Sequence, residues 1–76
     1  MDVTLSDLKP GDRARVAGYS GETTYGQSLL RLGLIPGTRF EVKRRAPLGN
    51  PVEIGFRGFS LTLRPEEADC LLLEKL

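Results

Sequence analysis

The chain has 76 residues, 39% of them hydrophobic and 28% charged, a balance that is typical of globular domains and excludes disordered and fibrous classes. A chain this short buries only about 60% of its unfolded surface, so we expect one domain over residues 1–76. Eleven basic against ten acidic residues leave a formal net charge of +1, which argues against a general nucleic-acid-binding protein.

The N-terminal third predicts a turn followed by a strand. Residues 4–8 are typical of a short turn that places Leu5 and Leu8 in the core. In residues 13–19, Ala14 and Val16 alternate with arginines, which is the pattern of a half-buried strand. Glycine near the end of this strand is expected to bend it.

A helix is predicted over residues 23–32. Three apolar residues at i, i+4 and i+7 define its expected inward face: Tyr25, Leu29 and Leu32. Thr23 or Thr24 is the expected N-cap, and Gly33 the expected residue just past the C-cap. Gly26 weakens the helix, because glycine in a helix interior costs about 1 kcal/mol relative to alanine.

The rest of the chain alternates between short strands and turns. The same alternation predicts four further strands: residues 39–45, 52–56, 60–63 and 70–74. Residues 47–51 and 57–58 carry turn chemistry, and residues 65–69 are typical of a single helical turn. The predicted fold class is mainly β: a small barrel of about five strands, with a short helical insertion after the first strand.

No motif for catalysis, metal or cofactor binding is visible. Histidine is absent, and the single Cys70 has no thiolate partner, so neither a transition-metal site nor a nucleophile with its base is expected. Three crowded acids, Glu66, Glu67 and Asp69, are interpreted as the solvated start of the helical turn, not as metal ligands. The glycines lack the spacing of a nucleotide loop. We therefore expect no enzyme and no cofactor.

Composition also indicates the compartment. An unpaired cysteine is unusual for a small secreted domain, which normally depends on several disulfides. No run approaches the roughly 20 apolar residues of a membrane helix, and residues 1–10 lack the features of a signal peptide. These features predict a soluble, cytoplasmic protein.

Two surface features are candidates for binding. The basic run over residues 43–45, with Arg57 and Arg64, is interpreted as a solvated face, and no nucleic-acid partner is expected, since few aromatic residues are free for stacking. The apolar residues of the helix and its exit exceed what one buried stripe needs: Leu29, Leu30, Leu32, Leu34 and Ile35. Either some of them form a protein contact, or all five fill the open end of the barrel.

Four segments in this order resemble the FeoA family: LSDLKPG from Leu5, SLLRLGLIPGT from Ser28, RAPLGNPVEI from Arg45 and RGFSLTLR from Arg57. The resemblance implies an SH3-like barrel that acts as an accessory or adaptor protein of bacterial ferrous iron uptake. Its implied partner is the FeoB transporter, through the cytosolic GTP-binding domain or the membrane region. The protein is then peripheral to the membrane through that partner, and promotes or regulates Fe2+ transport.

The resemblance also implies a partner-binding surface and no catalytic residue. The residues that match the family's motifs at this surface are Leu29, Leu30, Leu32, Gly33, Leu34, Pro47, Leu48 and Gly49. Asn50 replaces an aspartate that is usual in the family, which puts any role of a carboxylate there in doubt. An alternative hypothesis is an SH3-like interaction module that acts on a metal-dependent transcriptional regulator. A weak homo-oligomer and weak binding of transition-metal ions are left open.

Overall fold

The computed structural model describes residues 2–21, 23–47, 51–66 and 68–76. Within these residues the chain forms six strands and one α-helix: β1 (Asp2–Val3), β2 (Arg13–Tyr19), α1 (Thr24–Arg31), β3 (Arg39–Arg45), β4 (Val52–Phe56), β5 (Phe59–Leu63) and β6 (Leu71–Lys75). Two short 3-10 turns cover Leu5–Asp7 and Ala68–Cys70. None of the described helices is long and apolar enough to cross a membrane.

The strands form one antiparallel sheet in the order β1-β6-β2-β3-β4-β5. The mainly β prediction is confirmed, and all five predicted strands are present. The structure adds β1, which pairs Val3 with Leu73 and is too short to show an alternating pattern. Backbone pairing leaves β1 and β5 as the edges of the described sheet, so hydrogen bonds do not close the barrel there.

The core is one cluster of apolar side chains. Leu5 and Leu8 are fully buried, as predicted, and Ala14 and Val16 point inward from β2. Every longer strand contributes alternate residues to the same cluster, so one apolar core holds the strands, the N-terminal turn and α1 together. The cluster explains why strands of only five to seven residues are stable here, since burial supplies most of the driving force.

The C-terminal segment differs slightly from the prediction. The 3-10 turn begins at Ala68, and Cys70 ends that turn instead of opening the last strand. The Ala68 N–H donates to the Arg64 carbonyl oxygen at 2.9 Å. This hydrogen bond spans the residues just before the 3-10 turn. The predicted alternation in β6 is confirmed, because Leu71 and Leu73 are buried whereas Leu72 is 41% exposed. Glu67, part of the predicted turn, lies outside the described residues.

The hairpin between β4 and β5 has the predicted two-residue turn. Arg57 and Gly58 both have positive φ, 51° and 87°, which is the conformation of a type I′ turn and matches the twist of the flanking strands. Phe56 and Phe59 pair across the turn, and their rings lie 4.7 Å apart at 55°.

Candidate docking surface at the helix exit

Helix α1 begins at an N-cap that the sequence predicts. The Thr23 hydroxyl oxygen accepts a hydrogen bond from the Gly26 N–H at 2.9 Å, which satisfies one of the backbone donors that a helix start leaves without a partner. Of the two threonines considered as N-cap, Thr23 has this role and Thr24 is the first helical residue.

The helix ends in a Schellman motif. The Leu34 N–H donates to the Leu29 carbonyl at 3.0 Å, and the Gly33 N–H donates to the Leu30 carbonyl at 3.1 Å. Gly33 has φ +104°, a conformation that a residue with a side chain rarely adopts. The predicted position of Gly33 just past the C-cap is confirmed. The motif also brings Leu29 and Leu34 together in the core.

This exit decides which apolar side chains face outward. Leu29 and Leu34 are buried, whereas Leu30, Leu32 and Ile35 are 37%, 49% and 43% exposed. We call Leu30, Leu32 and Ile35 the helix-exit surface. The alternative that all five apolar residues fill the open end of the barrel is therefore wrong, because three of them are more than a third exposed.

The prediction that Leu32 faces inward is also wrong. Leu32 is the C-cap of the helix, and the chain reverses direction at Gly33 immediately afterwards. The inward position one turn beyond Leu29 is consequently taken by Leu34, which is fully buried. The helical period therefore ends at Arg31, one residue before Leu32.

Two hydrogen bonds fix the exit segment to the sheet. The Tyr19 hydroxyl donates to the Leu34 carbonyl oxygen at 2.6 Å, and the Thr38 hydroxyl donates to the Gly33 carbonyl oxygen at 3.2 Å. Burial raises the pKa of Tyr19 to about 12, with a smaller contribution from Cys70, so the phenol keeps the proton it donates at physiological pH. The helix-exit surface is therefore presented by a fixed backbone.

The start of the helix packs closely on the sheet because residue 26 is glycine. A Cβ atom at Gly26 would lie 3.3 Å from the Tyr19 ring and 3.4 Å from the Cys70 sulfur. The first distance is tighter than ordinary van der Waals contact and the second lies at its lower limit, so Gly26 allows a close approach that alanine would hinder. A cleft of about 140 Å³ opens beside this contact and reaches Leu30.

The hairpin between β4 and β5 lies beside the helix exit. A Cβ atom at Gly33 would lie 3.9 Å from the Phe56 ring and 3.8 Å from an Arg57 guanidinium nitrogen. Phe59, whose ring contacts Phe56, is 51% exposed. Arg57 and Phe59 are not among the residues that the sequence predicts to bind a partner. The sequence does not show that the β4–β5 hairpin lies beside Gly33, because this contact forms only in the folded chain.

Pro47, another predicted partner-binding residue, is not brought to the helix exit. Pro47 is exposed and follows the end of β3 that pairs with Val52, whereas the helix exit lies beside Phe56, at the other end of β4. Five strand residues separate the two ends by roughly 13 Å. Leu48 and Gly49, with Asn50, lie outside the described residues.

The described residues also show where the other candidate groups lie. The basic run is divided: the Arg45 guanidinium donates to the carbonyls of Ser6 and Leu8, while Lys43 lies 3.5 Å from Glu41 and Arg44 lies 4.0 Å from Glu53. Within the described part of the chain, no three acidic or cysteine side chains cluster in a way that could hold a metal ion.

Comparison with known proteins agrees with this architecture. The FeoA domain family matches residues 3–75. The chain belongs to the FeoA domain family. It is also 31% identical over 66 residues to the Fe(2+) transport protein A/Fe(2+) transporter FeoB fusion protein of Porphyromonas gingivalis. That match covers 87% of this chain and 8% of the fusion protein.

Solved FeoA structures have the same fold. The FeoA protein from Chlorobium tepidum is 40% identical and superposes with a TM-score of 0.86, over 97% of this chain and 70% of its own. A zinc complex of Stenotrophomonas maltophilia FeoA, described as a prokaryotic SH3 domain protein, is 22% identical and superposes with a TM-score of 0.80, over 95% and 89% of the two chains. The SH3-like assignment is thereby confirmed.

Proposed function

We propose that this chain is a cytoplasmic accessory protein of ferrous iron uptake that binds the FeoB transporter through the helix-exit surface and promotes or regulates Fe2+ transport. The observation that carries the proposal is the fusion protein of Porphyromonas gingivalis, in which a relative of this chain and a FeoB transporter are one polypeptide. Covalent linkage maintains a high effective concentration of one unit near the other, which is useful only if the two units act together.

The helix-exit surface has the properties of a protein contact. Leu30, Leu32 and Ile35 are large apolar side chains close together in the sequence, and each is more than a third exposed. Complete burial of a leucine contributes about 1.5–3 kcal/mol, so covering the exposed part of each contributes roughly 1 kcal/mol. The hydrogen bonds from Tyr19 and Thr38 to the exit backbone reduce the entropy that is lost on binding.

The proposed activity is binding and not catalysis. Within the described residues there is no histidine and no group of acidic or cysteine side chains that could hold a metal ion. The pKa of the half-buried Tyr19 is raised, away from the range useful for proton transfer near neutral pH. An apolar surface on a fixed backbone is suited to docking against a complementary groove.

The test is anaerobic binding of the purified protein to the cytosolic part of its cognate FeoB, with and without guanine nucleotide. Leu30→Glu and Leu32→Glu should each weaken binding by about tenfold or more, because the partner would then bury an unpaired carboxylate. Leu72→Glu is the matched control, since Leu72 is 41% exposed on β6. Circular dichroism of each variant checks that the fold is retained.

Three outcomes decide the proposal. Normal binding by both helix-exit variants would remove this surface from the interface. Absence of binding in every nucleotide state would exclude the cytosolic part as the docking partner. Unchanged Fe2+ uptake in a strain that lacks this protein, with the transporter expressed normally, would contradict the functional role itself.

A further inference from the structure

A second surface, formed by residues of β2, β3 and the β4–β5 hairpin, combines three arginines with apolar side chains. A groove of about 290 Å³ crosses β2, β3 and the β4–β5 hairpin. The side chains that matter for its chemistry are Arg13, Arg39, Arg57, Phe40, Phe56 and Leu76. We call this groove the arginine trough. It adjoins two further depressions, one beyond Arg57 and the other beyond Arg13.

The nearby acids are already paired with lysines. Glu41, which lines the trough, lies 3.5 Å from Lys43. Asp12, at the open end, lies 3.6 Å from Lys75. It also accepts the Lys9 backbone N–H at 2.8 Å, which is the main reason that its pKa is lowered.

The arginines of the trough lack such compensation. Arg15, opposite Arg39 across the strands, pairs with Glu74. Arg13, Arg39 and Arg57 form no ion pair with any described residue. A protein with a net charge of +1 therefore gathers three uncompensated positive charges around one groove.

Arg57 occupies its position at a cost in stability. It is the one non-glycine among the described residues with positive φ, at 51°, and asparagine or glycine is strongly favoured at this position of a type I′ turn. A residue in an unfavourable backbone conformation at a surface groove indicates a role for its side chain. Gly33 leaves room for that side chain, because a Cβ there would lie 3.8 Å from the guanidinium.

We propose that the arginine trough binds an acidic, partly apolar peptide segment of a partner protein. Each guanidinium presents a planar fork that matches a carboxylate, and Leu76, 57% exposed, forms an apolar wall. Nucleic acid fits less well, since the rings that line the trough itself, Phe40 and Phe56, are only 3% and 4% exposed and offer no face on which a base can stack. The exposed ring of Phe59 lines the depression beyond Arg57 and not the trough. This surface is distinct from the helix-exit surface, and the inference does not depend on the identity of the transporter.

The probe is a short fluorescent peptide of alternating glutamate and leucine, titrated with the full chain by fluorescence anisotropy. Saturable binding is expected, and it should weaken as salt rises because the arginines are exposed. The same peptide with glutamine in place of glutamate should bind at least about tenfold more weakly.

Two triple variants that remove the same charge separate the trough from the overall charge. Arg13→Gln, Arg39→Gln and Arg57→Asn together should weaken peptide binding by about tenfold or more. The control combines Lys9→Gln, Arg31→Gln and Arg44→Gln, all outside the trough lining, and should stay within about twofold of the unmodified protein.

The single variant Arg57→Asn distinguishes a binding role of Arg57 from a structural role. It should weaken binding of the glutamate peptide while raising the midpoint of thermal unfolding, because asparagine suits the type I′ turn. Equal loss of binding in both triple variants, or no saturable binding of the glutamate peptide, would overturn the proposal. Tighter binding of a single-stranded oligothymidine through the same arginines would assign the trough to nucleic acid instead.

Discussion

At the scale of single residues, Tyr19 connects the sheet to the helix exit. Its hydroxyl donates to the Leu34 carbonyl oxygen at 2.6 Å, and its ring lies against Gly26. Burial, and to a lesser extent Cys70, raises the pKa of the phenol from the ordinary 10.0 to about 12. The folded chain therefore favours the protonated phenol, and the same proton maintains the hydrogen bond to the exit backbone.

The raised pKa of Tyr19 predicts a loss of stability at alkaline pH. Below pH 10.0 the phenol is protonated in the folded and the unfolded chain, so its contribution is fully present. Between pH 10.0 and about 12 the unfolded chain loses the proton first, and the free energy of unfolding falls. In a Tyr25→Phe background, which leaves one tyrosine, absorbance should follow this titration.

Chemical denaturation across the same pH range gives the second measurement. Tyr19→Phe lacks the titrating group, so this part of the pH dependence should disappear, at a pH-independent cost of about 1 kcal/mol for the lost hydrogen bond. A Tyr19 that ionises near its ordinary pKa would contradict this account of the helix-exit contact.

Gly26 illustrates a residue whose role the sequence does not reveal. Propensity alone predicts that it weakens the helix, yet a Cβ atom at this position would lie within 3.4 Å of the Thr23 hydroxyl oxygen, the Tyr19 ring and the Cys70 sulfur. The close approach depends on residues that are distant in the chain, such as Cys70. Helix propensity describes only the local cost and cannot show this tertiary benefit.

At the scale of elements, α1 depends strongly on its ends. The helix covers eight residues, Thr24–Arg31, which is shorter than isolated helices need to be stable in water. Packing of Leu29 and the bonds at both ends must therefore supply its stability. The position of the helix-exit surface therefore depends on the residues at which the helix begins and ends.

Removal of the N-cap should measure this dependence. Thr23→Ala should lower the free energy of unfolding by about 1 kcal/mol, because the Gly26 N–H loses its acceptor. Thr24→Ala makes the same chemical change one residue later, at an exposed helical position, and should be neutral or slightly stabilising, since alanine has the better helix propensity. Urea denaturation of both variants makes the comparison. Equal losses would show that Thr23 does not act as the cap.

Alternation in the sequence predicts the strands well, because the sheet buries one face and exposes the other. It predicts irregularities less well. The register shifts between Val16 and Gly18, where glycine was expected to bend the strand, and again between Val42 and Arg44, where nothing signalled a change. The second shift leaves both Lys43 and Arg44 exposed, since the extra residue interrupts the two-residue period.

At the scale of the whole molecule, the sequence predicts what local patterns determine and fails where distant segments meet. The Schellman ending of the helix can be predicted from the sequence, because Gly33 is followed by Leu34 and both match the motif. The sequence does not show that Arg57 lies beside Gly33. It also does not show that Arg13, Arg39 and Arg57 line one groove. Those contacts depend on the strand order, which composition and periodicity do not determine.

The strand order also places Leu73 between two neighbouring strands. It is fully buried, and it pairs with Val3 of β1 on one side and Val16 of β2 on the other. A folded chain of 76 residues is expected to have a free energy of unfolding of about 4–11 kcal/mol. The cavity from a leucine-to-alanine change at such a site costs about 2–5 kcal/mol.

Leu73→Ala should therefore remove a large part of the total stability, and Leu72→Ala should not. Leu72 is the adjacent residue on β6 and is 41% exposed, so its truncation should cost less than about 1 kcal/mol. Denaturant unfolding followed by circular dichroism compares the two. A similar cost for both leucines would mean that β6 is not seated between β1 and β2 in the register described, and the core alternation of the last strand would have to be reassigned.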